Sequence, residues 1–191
     1  MKALRVGVLS GVAAGVLFAA WSMAAMWVTG QGLWIPLNLI AHTFYKAAPL
    51  DGMFSARAAL IGLGVHMTVA IIFGTALAVI AQRMPASRSL VITGGVLFIA
   101  VVWPVMQYGV WYQLDEQAAE GFNDWIFAGA HLIFGLTAAG IATLTIADDR
   151  TTHGRHAAGR RQVQPQLPPG SLFRPDRRPE RRPERWPDRR W

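Results

Sequence analysis

The sequence predicts an all-α protein: a four-helix transmembrane bundle with an outer interfacial helix and a disordered C-terminal tail. Three observations predict it. Of 191 residues, 53% are apolar and only 15% charged, with a positive mean hydropathy, which lies outside the range of soluble domains. Four apolar runs reach the roughly 20 residues that a bilayer core of about 30 Å demands. Charge is segregated: residues 1–146 hold six Lys/Arg and five Asp/Glu, whereas 147–191 hold twelve and six. The pI near 11.0 therefore describes the tail, and it gives the folded part no nucleic-acid-binding character. The chain has no cysteine, so disulfides, thiolate metal sites and thiol catalysis are excluded.

The first span, about residues 6–28, follows Lys2 and Arg5 like a secretory signal. Its apolar stretch is too long for a signal core and more spans follow, so it reads as a retained anchor. Gly7, Gly11 and Gly15 recur at four-residue spacing and continue to Ala19, a ridge over which another helix backbone can approach closely.

Between Thr29 and Arg57 the chain is too long for a tight hairpin. Pro36 stands where a helix can start and Pro49 where one must stop, giving a helix over about 36–46. On it Leu37, Ile40, Ala41 and Phe44 share one face, and Asn38, His42 and Tyr45 another. That pattern describes an interfacial helix on the outer surface or a re-entrant lid. Trp34, Trp111, Trp125, Tyr45 and Tyr112 suit an aromatic belt at the same surface.

The second span, about 58–81, carries Gly62, His66, Ala70, Gly74 and Ala78 on one stripe, and the fourth, about 125–147, carries His131, Gly135, Ala139 and Thr143. Each histidine thus faces a neighbouring helix. Each lies about eight residues, or roughly 12 Å, from the outer end of its helix, so the two share a layer. The third span, about 90–112, runs the other way and places Trp103, Pro104 and Gln107 near that layer, with Ser22 and Met23 from the first. Pro104 should kink its helix and free a carbonyl. The strings Gly64-Val-His66 and Gly129-Ala-His131, each followed by Phe-Gly at a different offset, suggest a duplicated two-helix hairpin.

Lys2, Arg5, Arg83, Arg88, Arg150 and Arg155 flank one set of span ends, and the opposite connections hold Asp51, Asp115, Glu116, Glu120 and Asp124 beside Lys46 and Arg57. The positive-inside rule then puts both termini in the cytoplasm. The acidic group 115–124 reads as a solvated turn. From Asp148 the chain turns polar and ends in Arg-Pro-Asp/Glu-Arg repeats over 174–189, which cannot bury apolar area and so predict disorder. Such a tail is a solubilising, topology-reinforcing segment or one drawn to anionic lipid headgroups; RNA is an unfavoured partner because no folded RNA-binding module accompanies it.

The glycine-ridged first span, the segment Trp34-Ile-Pro-Leu-Asn-Leu-Ile-Ala-His42 and the His-bearing second and fourth spans resemble a group of small uncharacterised four-helix bacterial membrane proteins, some under loose transporter labels. The resemblance covers about residues 1–147. It implies a multi-pass protein of the bacterial inner (plasma) membrane and brings no established activity.

Catalytic signatures are missing: there is no His-Glu-x-x-His, Gly-x-Ser-x-Gly or phosphate loop, and no acid within a span. The reading is a non-enzymatic small integral membrane protein without a cofactor, a transport-associated subunit or an oligomeric pathway made from several copies. The alternative is a metal or haem protein. There His66 and His131 would ligate haem iron or copper, Met23, Met26, Met67 and Met106 would offer thioethers to Cu(I), and His42 would complete the site from above.

Overall fold

The computed structural model describes the backbone of residues 2–83 and 87–162 and the side-chain surroundings of 3–83 and 87–143. Its regular structure is all helical, with no strand among the described residues: α1 (Lys2–Val28), α2 (Ile35–His42), α3 (Ala56–Arg83), α4 (Arg88–Pro104), a π-helical segment (Val105–Trp111), α5 (Tyr112–Leu114), α6 (Glu116–Gly121) and α7 (Asp124–Gln162). Four stretches are long and apolar enough to cross a membrane: Ala3–Val28, Ala56–Arg83, Arg88–Leu114 and Asp124–Thr143. Their outward faces carry exposed Leu9, Leu60, Leu97 and Leu132, the side chains a lipid solvent accepts and water does not.

Glycine decides how the spans meet. Gly7 and Gly11 lie against the α3 backbone at Thr75 and at Ala70 and Ile71, Gly15 lies against the side chains of Ala70 and Met67, and Gly74 meets the α1 backbone at Gly7 and Gly11. A Cβ on Gly11 would stand 2.6 Å from the Ala70 carbonyl oxygen, so only hydrogen fits at this seam. A second seam joins α4 to α7, where Gly95 faces Ala139 and Gly135 faces Ile99. Phe73 and Phe98 link α3 to α4 edge-on at 6.1 Å. The Trp21 indole N–H ties α1 to α7, donating to the Ile126 carbonyl at 3.0 Å. The four spans therefore close into a ring of neighbours, α1, α3, α4 and α7. Gly62 belongs to neither seam: it receives the Leu37 carbonyl of α2, which occupies the place of a side chain.

The outer helix differs from its two-faced pattern. It starts at Ile35, with Pro36 pre-set in the first turn, and ends at His42, so Tyr45 lies beyond it. All eight of its residues are buried, Asn38 and His42 included. The reason is that protein surrounds it: α3 at Gly62 on one side, and α6 on another, where Gly121 leaves room for the Leu39 side chain. The loop holding α2 is pinched shut where Gly32 (φ 119°) and Gly52 (φ 82°) touch, backbone angles that a side chain resists. The Asn38 amide N–H donates to the Met53 carbonyl at 2.9 Å, while Asn38 Oδ1 is buried without a hydrogen-bond partner among the described residues.

Pro104 ends the α-helical run of the third span. It lacks an N–H for the Ala100 carbonyl, the Val105 N–H is shared between the Val101 and Val102 carbonyls, and the chain widens into the π segment. The last helix is longer than the predicted fourth span and runs to Gln162 through residues expected to be tail. No proline interrupts the chain between Asp124 and Pro165, so the backbone hydrogen bonds are carried on past the apolar stretch. The chain divides into two units, 1–153 and 154–191. The ring of helices lies in the first; of the second only 154–162 is described, and it is helical. The repeats over 174–189, and with them the expected disorder, lie outside the described residues.

Candidate functional site

The bundle holds a cavity of about 260 Å³ that is open on one side. Phe18, Phe73, Trp111, Phe122, Phe127 and Phe134 make most of its wall, and Ile40 and Phe44 close it from the α2 side. Phe44 and Leu114 line it and are largely exposed, so they form its mouth. The wall residues with polar atoms are His66, His131, Gln107 and Trp111, whose indole carries an N–H donor, and no lining residue carries a carboxylate, hydroxyl or ammonium group.

Both imidazoles and the Gln107 amide are held by backbone carbonyls. The Nε2–H of His66 donates across the seam to the Gly15 carbonyl of α1 at 2.9 Å. The Nδ1–H of His131 donates to the Phe127 carbonyl one turn back in its own helix at 2.7 Å. The two Gly-x-His strings therefore use different ring nitrogens and different partners. Phe18 packs against both imidazoles, with ring centroids 5.0 Å from His66 and 4.8 Å from His131. Gln107 sits in the π segment, which turns it inward, and its amide donates to the Ala119 carbonyl of α6 at 3.2 Å. Segments of π-helix recur at functional sites because one wide turn re-aims the side chains that follow.

His42 takes a role other than third ligand. Its Nδ1–H donates to Asp115 Oδ2 at 2.7 Å, the same oxygen that Lys46 Nζ reaches at 2.7 Å. Asp115 is buried and its other oxygen caps α6 by accepting from the Ala118 N–H at 3.3 Å. The expected solvated acidic turn holds only for Glu116, Glu120 and Asp124, which are exposed; Asp124 accepts from the Tyr108 hydroxyl at 2.9 Å. Burial alone would raise the Asp115 carboxyl, but hydrogen bonds from Lys46, His42 and Ala118 outweigh it and hold the group below its ordinary 3.8. Asp115 thus fixes the end of α2, and with it Phe44, to the α5–α6 junction.

The other expected residues scatter. Of the four methionines proposed as thioether donors, Met106 lines the cavity, Met26 is core, and Met67 packs on Gly15. Ser22 is buried with no hydrogen-bond partner for its hydroxyl among the described residues. No group of three or more His, Cys, Asp or Glu side chains able to hold a metal ion occurs among the described residues.

Sequence reasoning missed Phe18 and Asp115. Phe18 follows Gly15 by three residues, which on a helix puts it beside the glycine ridge. His42 and Lys46, four apart, signal a shared anion, and Asp115 three before Ala118 is a helix-cap position, but nothing in the sequence pairs the two segments. No family model, curated protein or solved structure matches the chain.

Proposed function

We propose that the chain is a non-enzymatic, multi-pass bacterial plasma-membrane protein that takes a small, mainly apolar molecule into its bundle, as a transport-associated subunit or as an oligomer of its own copies. One observation carries this reading: an aromatic cavity with two imidazoles on its wall, closed by a buried helix that a charged latch holds down. A cavity of roughly 150 Å³ in a protein core admits benzene, and sites for drug-sized molecules begin near 300 Å³. At about 260 Å³ this cavity suits a molecule of one or two rings. The wall offers hydrogen-bonding groups for orientation but no hydroxyl, thiol or carboxylate beside a base, as covalent catalysis requires, which favours binding over chemistry.

Fluorobenzene titrated into the full-length protein in mild detergent, followed by ¹⁹F NMR, tests the reading. Val69 lines the cavity, and the expected result is a saturable bound signal that Val69→Trp removes by filling the space while the protein keeps its helix content. Absence of saturable binding in the wild-type protein, or binding untouched by Val69→Trp, overturns it.

A further inference from the structure

The hydrogen-bond pattern on the cavity wall specifies more than apolarity. In a neutral imidazole one nitrogen carries the proton and the other a lone pair. His131 spends its Nδ1–H on the Phe127 carbonyl, which leaves Nε2, the ring's far end, as an acceptor. His66 spends its Nε2–H on the Gly15 carbonyl, which leaves Nδ1 as an acceptor. No hydrogen bond from a described residue reaches either bare nitrogen, and neither is among the polar atoms sealed off by surrounding protein. An occupant that fills the cavity without bringing a donor shuts both acceptors off from any other partner, and an unpaired polar group so buried is costly. A purely hydrocarbon occupant leaves both unpaired, and an ether or carbonyl group sets lone pair against lone pair.

The rest of the wall selects the body of the occupant. Phe18 contacts both imidazoles, and Phe127 packs on Phe18 at 6.1 Å, so a flat ring entering here meets faces and edges of other rings, the arrangement aromatic groups favour. We propose that the cavity binds a one- or two-ring aromatic molecule bearing a hydroxyl, a phenol in the chemical sense, whose O–H donates to Nε2 of His131. This assignment rests on the reading of the cavity as a ligand site.

The test compares fluorobenzene with 4-fluorophenol in the full-length protein in one detergent, by ¹⁹F NMR titration. The ratio of their dissociation constants is read in wild type and in His131→Phe, so that partition into the micelle cancels. A hydrogen bond of ordinary net strength makes the preference for the phenol about three- to tenfold greater in wild type than in the variant. Saturable binding of both compounds with the same ratio in the two proteins overturns the hydroxyl assignment and leaves the cavity reading standing. Absence of saturable binding of either compound to wild type removes both. A measurement needing no variant guards against misfolding: the ¹⁵N resonance of His131 Nε2 in wild type should move on adding 4-fluorophenol and not on adding fluorobenzene. A resonance unmoved by saturating 4-fluorophenol overturns the assignment.

Discussion

The Nδ1–H of His42 donates to Oδ2 of Asp115 at 2.7 Å across 73 residues of sequence, and both side chains are buried. This contact joins the helix that closes the cavity to the connection between the third and fourth spans. Asp115→Asn keeps the α6 cap but removes the charge that His42 and Lys46 share. It should destabilise the protein by about 1.5–3 kcal/mol, the range for hydrogen bonds to charged groups, in unfolding measured by steric trapping. Lys46→Ala should cost less than about 1 kcal/mol, because its side chain is 62% exposed. Equal losses in the two variants would show that the lysine, and not the buried histidine, carries the latch.

Acid dependence follows from the same carboxyl. Its folded value lies below the ordinary 3.8, so its contribution is fully present above the unfolded value and is lost as pH falls through the folded one. Thermal stability attributable to Asp115 should hold constant above about pH 5 and fall away below 4. Asp115→Asn should be the less stable protein at neutral pH and should converge with wild type in acid. Two melting curves separated by the same interval at every pH would contradict this.

Gly62 and Gly64 lie two residues apart on α3 and should respond in opposite ways. A Cβ at Gly62 collides with the Leu37 carbonyl, whereas one at Gly64 meets nothing within 4 Å. Gly62→Ala should cost about 1–3 kcal/mol, the usual penalty of overpacking, and should weaken fluorobenzene binding because α2 is pushed off its seat. Gly64→Ala should change stability by less than about 1 kcal/mol. The pair compares one chemical change in two surroundings within a single helix.

Orientation is open to a direct check. The positive charges of Lys2, Arg5, Arg83 and Arg88 against Asp51, Asp115, Glu116, Glu120 and Asp124 predict that a reporter after Trp191 is cytoplasmic and that reporters near Asp51 or Gln117 are external. A cytoplasmic signal at Asp51 would invert the assignment and place the mouth of the cavity, at Phe44 and Leu114, on the inner side.

The sequence by itself determined the elements and one seam. Apolar length sets the four spans, Pro36 the start of the short helix, Pro104 the break in the third span, and Gly7, Gly11 and Gly15 a face that another helix can approach closely. These are local properties, written in hydropathy, in missing N–H groups and in missing side chains. The tertiary structure decided everything that joins distant segments. It buried all of α2, because α3 and α6 close round it. It drew Asp115 out of an acidic turn to meet His42. It sent Gly62 to α2 and Gly74 to α1, though both lie on one stripe of one helix, and it set Phe18 against both histidines. Periodicity tells which face of a helix is buried, but the identity of the neighbour depends on how the other helices are placed, and no single segment encodes that.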